Sequence, residues 1–202
     1  MSDPNDELPR LIRCLSDPDS AARETAATEI FARGCELARP AVERWLADEE
    51  LARCLVLGAS RTPEETVGLA VMPDTFESIR GAFGSPPLAD VPPDQDALEF
   101  EVSRTPGFRL DILTTAQRQG AGAIARFLRK FGEGIQQIEL LVRSVENAAQ
   151  ILRARFGIMP LFPAPRAGAS GRRVNFFLLP LPAGGKVLIE LVEATALPHG
   201  LC

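Results

Sequence analysis

The side chains with most chemistry to offer are oxygen donors on short apolar segments. Glu99 lies in "ALEFEV", Asp111 in "FRLDIL", Gln137 in "GIQQIELLV", Glu190 in "KVLIELV" and Thr66 in "TVGLAV". Carboxyls that share one site repel each other, so such a site holds a cation or keeps at least one proton. A retained proton gives one acid and one base, the equipment for moving a proton between the two faces of a carbon. As metal ligands the same oxygens are hard donors, suited to Mg, Ca or Mn. Imidazole is almost missing, since His199 in the tail "LPHGLC" is the one histidine. A Ser-His-Asp or Cys-His arrangement would have to use that residue, and zinc-finger spacing is absent.

These residues meet only if their segments are strands that share a face. Successive side chains of a strand point to opposite faces. Val67, Leu69 and Val71 then oppose Thr66, Gly68 and Ala70, while Leu98, Phe100 and Val102 oppose Glu99 and Glu101. Leu110 and Ile112 oppose Asp111 and Leu113, and Val187, Ile189 and Leu191 oppose Leu188 and Glu190. In the fourth segment Gln136 falls with Ile138, Leu140 and Val142, opposite Ile135, Gln137, Glu139 and Leu141. Helices must cover the aliphatic faces, so Thr66, Glu99, Asp111, Gln137 and Glu190 converge if two half-sheets curl together. A solvated outer face would explain the polar residues without any function. The interspersed Gly68, Ala70, Leu113, Leu141 and Leu188 favour a cavity wall instead.

The chain divides into a helical segment, 1–58, and a strand-rich region, 59–202. Leu8, Leu11, Ile12 and Leu15 form a helical stripe, "SDPDS" ends it, and Asp19 or Ser20 caps a second helix predicted to stop at Gly34. A third is predicted around Val42, Trp45 and Leu46. The first two resemble a single HEAT-type hairpin, which alone cannot form a solenoid, so an arm packed on the main domain is expected. A docking site for another protein is the alternative.

After residue 60 there is an internal repeat, with modules at about 64–116 and 134–194. Each has a strand, an amphipathic helix ending in Phe-Gly, and further strands. Asp74 and Glu77 have capping-box spacing in the first helix, and Ser144 is the expected cap of the second. "GAIARFLRKF" forms a short helix between the modules. "GASGRR", residues 168–173, has glycines and arginines that could bind a phosphate, as in a coenzyme A tail, but a flexible turn is the commoner meaning.

The segment from Glu64 to Glu193 resembles the vicinal oxygen chelate superfamily, and within it the methylmalonyl-CoA epimerases. "GEGIQQIELLV", "ARFLRKFGEG", "PDQDALEFEV", "GRRVNFFLLP" and "KVLIELVE" carry the resemblance. It implies an α+β fold of two βαβββ-type modules, here preceded by an all-α segment. It also implies an isomerase that transfers the α-proton of an acyl-CoA or related acid. In that family two histidines, a Gln or Glu, and a Glu hold a divalent metal, and two glutamates exchange the proton. By position the catalytic pair falls on Glu99 and Glu190, and the metal set on Thr66, Asp111, Gln137 and Glu190. Gln136 and Gln137 stand where the family writes two histidines. The site is therefore expected to hold an oxygen-bound divalent cation or none, and a non-catalytic binder of a small molecule or protein is the alternative reading.

The bulk composition fits these expectations. A net charge of -5 argues against a nucleic-acid surface. No stretch reaches the roughly 20 apolar residues of a membrane span. The start "MSDPNDELPR" is no signal peptide, and Cys14, Cys35, Cys54 and Cys202 form no C-x-x-C. A cytoplasmic protein acting on a small molecule is expected, and a homodimer is left open.

Overall fold

The computed structural model describes residues 4–58, 61–117, 120–181 and 184–195, so His199 lies outside the described residues. Three helices come first: α1 (Pro4–Cys14), α2 (Ser20–Leu46) and α3 (Glu49–Cys54). Asp19 caps α2 by accepting from the Ala21 N–H. The expected stop at Gly34 does not occur. α2 runs on through Gly34 and Pro40, so Val42, Trp45 and Leu46 form its last turns and not a third helix. The reason is tertiary. A Cβ on Gly34 would come within 2.4 Å of a Val67 methyl, so this glycine lets the helix approach the sheet closely. The separate short helix, α3, is capped by Asp48, which accepts from the Glu50 and Leu51 N–H groups.

The strands are β1 (Glu65–Ala70), β2 (Ala97–Arg104), β3 (Phe108–Thr115), β4 (Gly134–Val142), β5 (Arg166–Ala167), β6 (Arg173–Pro180) and β7 (Lys186–Glu193). They form one curled mixed sheet in the order β2-β3-β1-β4-β7-β6-β5. The repeat seen in the sequence is visible in this order. β1 runs parallel to β3, connected through α4 (Pro73–Ala82), and β4 runs parallel to β7, connected through α6 (Val145–Phe156). The two halves join where β1 and β4 pair antiparallel. After its helix the first module supplies two strands and the second three.

The aliphatic faces are covered as alternation requires. Val67, Leu69, Phe100, Leu110, Ile138, Leu140, Ile189 and Leu191 are fully or almost fully buried. They share one core with Ile30 and Trp45 of α2, Phe76 and Ile79 of α4, and Val145 and Leu152 of α6. The helical segment is thus packed on the sheet. On the opposite face α5 (Ala123–Phe131) packs Ile124 and Leu128 against Ala70 and Leu113. Among the described residues no helix is long and apolar enough to cross a membrane.

Helix α4 differs from expectation at its start. Its N-cap is Met72, with no side-chain cap, so Asp74 and Glu77 do not form a capping box. Pro73, whose fixed φ suits a first helical position, begins the helix ahead of Asp74. The Met72 N–H is instead satisfied by Glu133 Oε1 at 2.9 Å. In α6 the expected cap is present, with Ser144 Oγ accepting from the Asn147 N–H at 3.3 Å, and Gly157 closes the helix at φ 66°.

The close approach at Gly34 gives a test. Alanine is ordinarily better than glycine in a helix by about 1 kcal/mol. Here Gly34→Ala forces its methyl against Val67 and is expected to destabilise by about 1–3 kcal/mol, read as a lowered urea midpoint.

Candidate functional site

The concave face of the sheet, opposite the main core, encloses a cavity of about 850 Å³. Glu99, Asp111, Gln137 and Glu190 all line it. Thr66 does not. It is buried in β1, directly across from Glu139 in register, and is not among the lining residues.

Register explains how the polar groups meet. Gly68 pairs with Asp111 on one side and Gln137 on the other. A Cβ on Gly68 would lie 2.5 Å from Gln137 Cγ, so the missing side chain is the space across which Gln137 lies. Between β1 and β4 the register then shifts: Gly68 faces Gln137, but the next residue, Leu69, faces Ile135. Gln136 is the extra residue of this β-bulge, and such an insertion re-aims side chains locally. Strict alternation assigns Gln136 to the core side, whereas it lines the cavity beside Gln137. Its Oε1 is buried without a hydrogen-bond partner.

Two residues that enter the site were not assigned to it from sequence. Glu139, on the same strand face as Gln137, pairs with Glu190 in register. Alternation had placed Glu139 correctly, and only its role was missing. Arg172 reaches the cavity from the "GASGRR" loop, which gives no periodic signal.

Of the carboxyls that line this space, those of Glu99, Asp111, Glu139 and Glu190 are raised above their ordinary values. Gln137 Nε2 donates to Glu190 Oε2 at 2.5 Å and to Glu139 Oε1 at 3.1 Å. Asp111 and Glu139 lie side by side, and their contact raises the Asp111 pKa and partly offsets the rise at Glu139. Burial dominates every shift. It pushes Glu99 to about 7, with the Asp111 charge adding to it. Burial and then the Glu190 charge bring Glu139 to about 8, while burial and then the Glu99 charge bring Glu190 to about 8. Burial and the neighbouring Glu139 hold Asp111 well above the carboxylate range. Arg172 opposes the shifts at Glu99, Asp111 and Glu190.

As they stand, these residues do not fit a divalent ion. Gln137 turns its N–H groups, not its oxygen, toward Glu139 and Glu190, and Asp111 is bonded to Glu139. Among the described residues no group of three or more His, Cys, Asp or Glu side chains is placed to hold a metal. What the arrangement can do is keep and release protons near neutral pH.

A curled mixed sheet of two repeated modules around such a cavity is the vicinal oxygen chelate fold. No family model and no curated protein matches this chain. Among solved structures it is similar to methylmalonyl-CoA epimerases. The enzyme from Mycobacterium tuberculosis is 29% identical over 71% of this chain and 95% of its own, with a TM-score of 0.54. A methylmalonyl-CoA epimerase solved with methylmalonyl-CoA and NH4+ is 26% identical over 66% and 95%, with a TM-score of 0.51. The Streptomyces coelicolor enzyme (S115T) in complex with 2-nitronate-propionyl-CoA is 26% identical over 67% and 96%, with a TM-score of 0.52.

The raised carboxyls fix the sign of a pH effect on stability. The folded chain keeps protons that the unfolded chain releases above the ordinary value of 4.5. The stability from these groups is complete below that value and lost as pH rises through about 7 to about 8. Urea midpoints are expected to fall from about pH 5 to about pH 9, each group adding up to about 1.4 kcal/mol per pH unit. Glu139→Gln should flatten part of that slope, and an unchanged slope would show that Glu139 does not titrate in this window.

Proposed function

We propose that this chain transfers the α-proton of an acyl-CoA or related acid, with Glu99 and Glu190 as the proton-exchanging pair. In this reading residues 59–202 form the catalytic unit and residues 1–58 brace its outer face. The observation that carries it is the set of carboxyls raised to about 7 and about 8 around one cavity. At neutral pH an acid and a base then coexist in the same space, which a two-base exchange requires. Likeness to epimerases solved with acyl-CoA ligands supports the substrate class.

One carboxylate takes the α-proton from one face, and the other, protonated, returns a proton to the opposite face. The negative charge on the enolate oxygen must be met by hydrogen bonds aimed at it. Gln137 is suited to this. With Glu190 as the protonated member of the pair its carboxyl is a weaker acceptor, so the amide hydrogen beside it is available to the new anion. Glu139 accepts from the same amide and so holds Gln137 in place.

The test is deuterium exchange at the α-carbon of methylmalonyl-CoA by chelator-treated protein. Exchange is expected without added metal, and Glu190→Gln or Glu99→Gln should slow it by about 10²–10⁴-fold. The rate should peak between about 7 and about 8, falling below as the base is protonated and above as the acid is lost. Exchange that appears only with added Mg, Mn or Co would refute hydrogen-bond stabilisation of the enolate. No exchange under either condition would sink proton transfer on this substrate.

A further inference from the structure

Among the described residues, three guanidinium groups line the cavity, and two of them are engaged. Arg166 pairs with Asp94 and lies 4.8 Å from the centre of the Phe162 ring. Arg126 donates to the Ala121 carbonyl. The Arg172 guanidinium forms no hydrogen bond or ion pair with another described residue. Its charge nonetheless acts on Glu99, Asp111 and Glu190 across the cavity.

The backbone that carries Arg172 is fixed. Gly168 N–H donates to the Arg172 carbonyl at 2.7 Å, and Arg172 N–H donates to the Ala169 carbonyl at 3.2 Å. Ser170 N–H ties the same turn to the Asp90 carbonyl at 2.8 Å. The "GASGRR" segment is therefore a pinned turn that presents one side chain to the cavity. An arginine whose task was to neutralise a carboxylate would close a bidentate pair with it, the geometry its planar fork favours. Arg172 bridges none of the three carboxyls whose charge it opposes. Its donors are left for something that enters.

We propose that Arg172 is the residue that receives a free carboxylate of the ligand, and so sets the cavity's selectivity for acyl groups that carry one. The identity of the thioester rests on the proton-transfer reading above, whereas the anion-receiving role of Arg172 does not. The guanidinium would hold the carboxylate by paired N–H···O bonds and orient the adjacent α-carbon toward Glu99 and Glu190. Arg172 is thus a positioning and specificity residue.

The test is binding by calorimetry, with no turnover, of two ligands that differ in one group. Methylmalonyl-CoA carries a carboxylate where isobutyryl-CoA carries a methyl, and the two share every phosphate of coenzyme A. The parent protein is expected to bind methylmalonyl-CoA about tenfold or more tighter. Arg172→Met should bring the two within about twofold while leaving isobutyryl-CoA binding unchanged, which also shows that the variant is folded. Arg172→Lys, which keeps the charge and loses the fork, should fall between. Equal binding by the parent, or a preference that survives Arg172→Met, overturns the proposal. So does an equal loss for both thioesters, which would place Arg172 on the coenzyme phosphates. If neither thioester binds, the acyl-CoA reading fails by itself, and methylmalonate is compared with its diamide. Binding of the dianion alone that Arg172→Met abolishes upholds the proposal, and any other result overturns it.

Discussion

The carboxyl groups of Glu99, Asp111, Glu139 and Glu190, gathered in one cavity, set the terms for the rest of this structure. Left ionised, they would repel one another in a space too enclosed for water to screen them fully. The chain answers by proton retention and hydrogen bonding. Burial and the neighbouring Glu139 hold the Asp111 carboxyl well above its ordinary range, and the Gln137 amide spans Glu139 and Glu190. An amide carries no net charge, so it satisfies lone pairs without cancelling the electrostatic repulsion. That repulsion, together with burial, leaves Glu99, Glu139 and Glu190 titrating near neutrality.

The sheet exists in a form that makes this cluster possible. Two modules, each pairing its first and last strands in parallel, meet along β1 and β4 and curl to face their polar rows inward. Two glycines allow close contact on opposite faces of the same strand region. Gly34 brings α2 down onto Val67 on the outer side, and Gly68 leaves room for Gln137 on the inner side. The stiffness of a packed core behind β1 and β4 holds the polar groups in front of them. The geometry of the cavity is a consequence of packing on the far side of the sheet.

The likeness to methylmalonyl-CoA epimerases is one of fold, and the chemistry that lines the cavity is concentrated on one strand, β4. Its apolar residues Ile138, Leu140 and Val142 face the core, and the strand pairs with β1 and β7. On the cavity side it carries two glutamines: the Gln137 amide donates to Glu139 and Glu190, and Gln136 Oε1 is buried without a partner. The fold depends on the core side of this strand, while the cavity's chemistry depends on the other.

The alternation of Val67, Leu69 and Val71 with Thr66, Gly68 and Ala70, and its equivalents in the other strands, determined the strands, their buried faces and the shared side of Glu99, Asp111, Gln137 and Glu190. It could do so because side-chain direction in a strand is a local property with a period of two. Ser144 and Gly157 marked the ends of α6 for the same reason: caps act within a turn. What lay beyond the sequence was decided by contacts between distant segments. Gly34 reads as a helix stop until Val67 is seen beneath it, and Gln136 reads as a core residue until the β1–β4 register slips by one. Thr66 shares the polar face yet is not among the residues that line the cavity, and Arg172 enters from a turn that has no period at all. Local patterns fix which way a side chain points along its own strand. Only the assembled sheet fixes what it points at.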